Sequence, residues 1–187
     1  MNIDQVIDSI YPLPEASKRT LKESIVEVRL PKGYMLLRAD KIETDIYFIK
    51  KGIARAYANS EDNEVTFWFG REGDAIISMK SYVGSQKGYE NIELLEDCEL
   101  YRLDNTSLQQ FFSEDLHMAN WGRKFAEQEL LKTEERLISR QFRTATERYR
   151  ELLQDNPDLV KRVPLGHIAS YLGITQVSLS RIRADFR

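Results

Sequence analysis

The stretch VPLGHIASYLGITQVSLSRIRADFR, residues 163–187, decides the architecture of this 187-residue chain. Ile168 and Leu172 lie four residues apart and therefore share one face of a first helix. Leu179 and Ile182 follow at helical spacing and mark the apolar face of a second helix. The stretch therefore predicts two short helices joined by a tight turn.

The turn between these helices carries the residues that a sharp corner needs. Gly173 can adopt a positive φ at low cost, and Thr175 can cap the second helix through its hydroxyl. Ala169 is small where the helices approach each other. This pattern is typical of a helix-turn-helix, whose second helix enters the DNA major groove, although a plain helical hairpin is the alternative. The candidate DNA-binding residues are Thr175, Gln176, Val177, Ser178, Ser180, Arg181 and Arg183.

Charge is distributed unevenly along the chain. Residues 1–120 hold 14 Lys and Arg against 21 Asp and Glu, a net charge of −7. Residues 121–187 hold 13 Lys and Arg against 9 Asp and Glu, a net charge of +4. A basic end on an acidic body favours a polyanionic partner for that end alone.

Several classes of protein are excluded by composition. Cys98 is the single cysteine, so one chain can form neither a disulfide nor an iron–sulfur cluster held by cysteines. His117 and His167 are isolated, and residues 26–103 contain no histidine for a metal-dependent barrel enzyme, so we expect no metal site and no catalytic residues. No signal peptide or membrane-length apolar run is apparent, which predicts a cytoplasmic protein without membrane contact.

The sequence between Val26 and Leu103 has the pattern of a β-domain. Short β-branched and aromatic runs such as VEVRL, YMLLR, DIYFI, EVTFWF and CELYRL alternate with turn signals. This spacing predicts an antiparallel β-barrel or sandwich. The later run LVKRV, residues 159–163, is predicted as a short strand or an extended lead into the helix-turn-helix.

A long helix is predicted from Asp115 to about Ser139, with two apolar stripes. One stripe contains Met118, Trp121 and Phe125. A helix that is apolar on two sides packs on two partners, so we expect one stripe to cover the β-domain and the other to form a homodimer. In the alternative, both stripes belong to the core of one chain. The predicted dimer residues are Ala119, Ala126, Leu130, Thr133 and Leu137.

The whole layout resembles the Crp/Fnr family of bacterial transcription regulators, related to the cyclic-AMP receptor protein. The resemblance rests on Pro31-Lys-Gly33, the run 47–55, Gly73-Asp74 and the recognition-helix signature GITQVSLSRIR, residues 173–183. It implies an α+β fold with an N-terminal antiparallel β-roll of the cyclic-nucleotide-binding type, a long dimerisation helix and a C-terminal helix-turn-helix. The implied boundaries are 1–115 for the β-roll, 116–140 for the dimerisation helix and 141–187 for the DNA-binding domain.

One departure from the family concerns the effector. In nucleotide-binding members an arginine after a short helix pairs with the cyclic phosphate, whereas residues 85–90 here contain no arginine and Glu90 would repel an anion. We therefore expect no cyclic AMP and no other cofactor, and the small-molecule effector is unknown. The candidate effector residues are Gly73, Asp74, Met79, Tyr82, Lys87 and Tyr89.

A second departure concerns the DNA-binding end. About four residues follow Arg183, which predicts a shortened wing and phosphate contacts from elsewhere, such as Arg162. Val177 stands where the family commonly has glutamate, so the target site need not match the best-known operator. The expected partners are double-stranded DNA, a second copy of the chain and, for an activator, RNA polymerase. The competing hypothesis is a β-roll sensor that binds a ligand or a protein but not DNA.

Overall fold

The computed structural model describes residues 1–61 and 63–186, which form nine helices and eight strands. The strands are β1 (Ile25–Leu30), β2 (Met35–Leu37), β3 (Ile46–Lys51), β4 (Ala54–Asn59), β5 (Glu64–Gly70), β6 (Ala75–Ile76), β7 (Asn91–Leu94) and β8 (Cys98–Leu103). The helices are α1 (Ile3–Ile10), α2 (Glu15–Glu23), α3 (Met79–Gly84), α4 (Asn105–Glu114), α5 (Leu116–Phe142), α6 (Ala145–Asp155), α7 (Pro157–Arg162), α8 (Leu165–Leu172) and α9 (Gln176–Ala184).

The strands form two antiparallel four-stranded sheets, in the orders β1-β8-β3-β6 and β2-β7-β4-β5. Phe48 pairs with Tyr101 in the first sheet, and Ala56 pairs with Ile92 in the second. Aliphatic side chains from both sheets, such as Ile49 of the first and Leu94 of the second, fill the space between them. The predicted antiparallel β-roll is therefore confirmed, and burial of this apolar surface is its main source of stability.

Helices cover the outer face of the first sheet. Trp121 on α5 is 1% exposed, and its indole nitrogen donates to the carbonyl of Ile7 at 3.1 Å. Phe48 of the sheet meets the rings of Trp121 and Phe125 edge-on, with centroids 6.3 and 5.8 Å away. Met118 is buried in the same cluster. This confirms that the stripe Met118, Trp121 and Phe125 packs on the β-domain.

The second half of α5 presents a broad apolar face to solvent. Leu130 and Leu137 of the predicted dimer stripe are 71% and 62% exposed. Leu131, Ile138 and Phe142 form a shoulder beside them and are at least half exposed. The helix continues to Phe142, beyond the predicted end near Ser139. Within one chain, the alternative that both stripes belong to the core is wrong.

The last four helices form a core of their own that also includes the β-roll residues Ile53 and Leu95. The prediction that residues 159–163 form a strand or an extended lead is wrong, because Pro157 begins the six-residue helix α7. None of the described residues beyond Phe142 lies in a strand. The proposed domain boundaries 1–115, 116–140 and 141–187 stay predictions.

Candidate nucleic-acid interface

Helices α8 and α9 form the predicted helix-turn-helix. Gly173 ends α8 with φ +67°, and the amide of Ile174 donates to the carbonyl of Ala169 at 3.0 Å. The hydroxyl of Thr175 accepts from the amide of Ser178 at 3.1 Å and so caps α9. Leu179 is fully buried against α8. The corner, the cap and the apolar face of this motif are all confirmed.

The outer face of α9 is free to meet a partner. Gln176, Val177, Ser180 and Arg181 are exposed, Val177 at 64%. No acidic residue lies in the first turn, and none of the described residues forms an ion pair with Arg181. The remaining candidates are Thr175, which is exposed, and Ser178 and Arg183, which are half-buried. All seven candidate residues therefore lie on α9 or at its N-cap, and they include cationic and hydrogen-bonding groups of the kind that bind DNA.

The helix-turn-helix docks on the β-roll through α8 and the edge strand β5. The hydroxyl of Ser170 accepts from the amide of Thr66 at 2.9 Å and donates to the carbonyl of Glu64 at 2.8 Å. The ring of Tyr171 packs on Phe69, with centroids 5.3 Å apart. The side chain of Ser170 thus bonds two backbone groups of β5. This strand lies at the edge of its sheet and pairs with another strand on one side only.

A buried arginine lies at this docking surface. Arg55 on β4 is 2% exposed and bonds Glu93 at 2.6 Å, Glu64 at 2.7 Å and the hydroxyl of Thr66 at 2.8 Å. Burial lowers the pKa of the nearby His167 on α8, and the positive charge of Arg55 lowers it further. Each nitrogen of the guanidinium therefore has an acceptor, and all three acceptors belong to the β-roll.

Arg162, at the end of α7, is bonded to the β-roll, and its role as a phosphate contact stays a prediction. Its guanidinium is bonded to Glu72 at 2.9 Å and to Glu96 at 2.6 Å, both in turns of the β-roll. Burial alone would raise the pKa of Glu72, but the bonds from Arg162 and from the amide of Gly52 outweigh it and lower that pKa to about 2. We call Arg162, Glu72 and Glu96 the Arg162 clamp.

Replacing Arg162 by alanine should lower the free energy of unfolding by about 1–2 kcal/mol at pH 7, since these charge-assisted bonds are partly exposed. Because the pKa of Glu72 is lowered in the folded state, its contribution is present above its unfolded value near 4.5 and is lost as pH falls toward about 2. The difference from wild type should therefore shrink over that interval in denaturant titrations. Lys161→Ala, which removes a 74% exposed charge of the same helix, is the control. A difference that does not change with pH would contradict the clamp.

The predicted effector residues line neither of the two surface cavities described below. Gly73 lies in a turn with φ +97°, and the half-buried Asp74 after it faces Lys132 of α5 at 3.7 Å. Burial raises the pKa of Asp74. Tyr82 receives a hydrogen bond from Gln109 at 3.2 Å. The exposed members of the set are Met79, Lys87 and Tyr89. An effector site built from these residues stays a prediction.

Two surface cavities lie elsewhere on the β-roll. One has a volume of about 420 Å³ and is lined by Met1, Asn2, Lys50, Lys51, Glu72 and Glu99. The other, of about 370 Å³, is lined by Val28, Leu30, Tyr34, Met35, Leu36, Arg38, Glu43, Tyr47 and Arg102. In the part of the chain that the structure describes, no three His, Cys, Asp or Glu side chains cluster as metal ligands would. No helix there is both long enough and apolar enough to cross a membrane.

Comparison with known proteins shows which fold this is. A model of the cyclic nucleotide-binding domain family matches residues 27–115. A transcriptional regulator of the Crp/Fnr family from Eubacterium rectale superimposes with a TM-score of 0.72 over 95% of this chain and 87% of its own, at 16% sequence identity. This chain has the Crp/Fnr architecture. The fold that the sequence resemblance implied is thus confirmed.

Other solved structures share the Crp/Fnr fold. FixK2 from Bradyrhizobium japonicum is 19% identical, with a TM-score of 0.72 over 86% of this chain and 83% of its own. The c-di-GMP responsive global regulator CLP from Xanthomonas campestris is 16% identical, with a TM-score of 0.68 over 92% and 91%. No curated protein matches this chain by sequence.

Proposed function

We propose that this protein is a homodimeric transcription regulator that binds palindromic promoter DNA through α9. The observation that carries this proposal is the outer face of α9, which is exposed and free of acid, while Leu179 buries the opposite face and Thr175 caps the N-terminus. A helix held in this way presents its N-terminal half to base edges in the major groove. The fold shared with Crp/Fnr regulators supports the same function.

The side chains of α9 divide into two groups by chemistry. Arg181 can donate two hydrogen bonds to guanine, and Gln176 can pair with the edge of adenine. The methyl groups of Val177 suit the methyl group of thymine. The residues that contact phosphate and set the register are Thr175, Ser178, Ser180 and Arg183.

The exposed face of α5 supports a second copy of the chain as the partner. Leu130 and Leu137 expose most of their surface on one stripe, and Leu131, Ile138 and Phe142 widen it. A contiguous apolar face of this kind marks a contact surface, and a long helix pairs with its own copy around a two-fold axis. That axis would give the two copies of α9 the symmetry of a palindrome.

Binding of genomic DNA fragments, followed by footprinting of the enriched ones, tests this function. We expect a palindrome whose half-site centres lie about 34–36 Å apart and an affinity that falls steeply with salt. Absence of binding at low salt would contradict the proposal. That result would favour a β-roll sensor that uses its C-terminal helices for protein contacts.

A further inference from the structure

The segment Ser78–Glu90 holds a buried carboxylate that the helix-turn-helix does not use. Glu90 is 6% exposed, and its Oε2 accepts from the amide of Tyr89 at 3.1 Å. None of the described residues donates a hydrogen bond to its Oε1, although this atom is buried. A buried acceptor without a donor is rare in folded proteins, because it loses its bonds to water without replacement.

The groups around this oxygen are also acceptors. The hydroxyl of Ser78 lies 3.2 Å from that of Ser81, which in turn donates to the carbonyl of Gln86 at 2.8 Å. A Cβ placed on Gly88 would lie 2.8 Å from Oγ of Ser78 and 3.1 Å from Oε1 of Glu90, so both oxygens converge on this glycine. Because the hydroxyl protons of Ser78 and Ser81 are donated within the segment, only oxygen lone pairs remain to contact a ligand.

A cyclic nucleotide does not fit this arrangement. Its phosphate is an anion that needs N–H donors or a cation, whereas the segment offers the carboxylate of Glu90 and hydroxyl oxygens. A side chain at Gly88 would require Ser78 and Glu90 to shift, since a Cβ there lies 2.8 and 3.1 Å from their oxygens. The match to the cyclic nucleotide-binding domain family therefore describes the fold of residues 27–115 and not their ligand.

The side chains near Glu90 favour a positively charged ligand. The ring of Tyr89 is 57% exposed, and Nζ of Lys80 lies 5.5 Å from its centroid, so the ring face accepts an ammonium group. Met79 and Val83, four residues apart on α3, expose apolar surface at 55% and 74%. We infer that the segment Ser78–Glu90 binds an ammonium or guanidinium group, with Glu90 as the anionic partner and Tyr89 as the aromatic one.

Thermal unfolding and calorimetric titration with agmatine, putrescine, cyclic AMP and inorganic phosphate test this inference. We expect agmatine or putrescine to raise the unfolding midpoint of wild-type protein and the two anions to leave it unchanged. Glu90→Gln should weaken amine binding by about 10- to 100-fold, which is the loss expected for a charge-assisted hydrogen bond. Glu23→Gln, on exposed α2, is the matched control and should bind as wild type does.

Lys80→Met provides a variant whose folding is not at risk, since Lys80 is exposed. Removing its ammonium from the ring of Tyr89 should tighten agmatine binding several-fold. Stabilisation of the wild type by cyclic AMP or phosphate would overturn the inference, as would indifference to both amines. This site would receive the effector of the regulator proposed above, but no DNA enters the experiment, so the inference and the proposed function can fail separately.

Discussion

Replacing Leu130 and Leu137 together by aspartate should give a monomer that no longer binds its operator. The two-fold axis repeats each substitution, so the dimer would bury four carboxylates. Their desolvation costs more free energy than burial of the remaining apolar surface contributes. A monomer binds one half-site of the operator. Loss of the contact with the second half-site weakens binding by about 10²- to 10⁴-fold. Light scattering measures the mass, and gel-shift titration measures the affinity.

This variant should remain folded, because both leucines expose most of their surface within one chain. Ile42→Asp, at another exposed apolar residue on the β-roll, is the matched control and should stay dimeric. A double variant that keeps the mass of a dimer would place the interface elsewhere. A monomer that binds the full palindrome as wild type does would contradict the proposed symmetry.

Arg181→Ala is expected to cost about 1–3 kcal/mol of DNA affinity per half-site and to relax the preference for one base pair. The reason is the loss of a forked donor to guanine, while the fold is preserved because Arg181 is exposed and no described residue forms an ion pair with it. Competition titrations with single-base variants of the operator measure both effects.

Two further variants separate base reading from charge. Arg183→Ala should weaken binding to all sequences alike and reduce the slope of log affinity against log salt by about one for each half-site. Arg19→Ala removes the same charge from α2 and should change neither quantity. If Arg181→Ala behaved like Arg183→Ala, Arg181 would contact phosphate and the base-reading role would be wrong.

The parts of this structure that sequence predicts well are those determined by neighbours along the chain. Gly173, Thr175 and Leu179 define the helix-turn-helix within seven residues, so periodicity and turn chemistry suffice. The stripe Met118, Trp121 and Phe125 is equally predictable, because its residues follow helical spacing. The shoulder of Leu131, Ile138 and Phe142 was also accessible in the sequence, since these residues recur at +7 and +4, but the acidic residues between them weaken the pattern.

The parts that sequence missed depend on distant partners. Arg162 bonds Glu72 and Glu96, which lie 90 and 66 residues away, so its spacing to near neighbours gives no sign of the clamp. Helix α7 was missed for a local reason. Pro157 follows α6 and also begins α7, and a proline after a helix predicts the end of that helix more plainly than the start of another. The predicted effector residues share a stretch of sequence, but Asp74 faces Lys132 of α5 and Tyr82 bonds Gln109 of α4, and spacing along the chain does not reveal these contacts.

The docking of Ser170 on β5 has a consequence for solubility. Residues 1–142 alone would leave the amide of Thr66 and the carbonyl of Glu64 without their partner and uncover Arg55, Phe69 and Ile53. A bare strand edge beside apolar surface is a template for intermolecular pairing. The isolated β-roll is therefore expected to aggregate, and the intact chain to melt in a single cooperative transition.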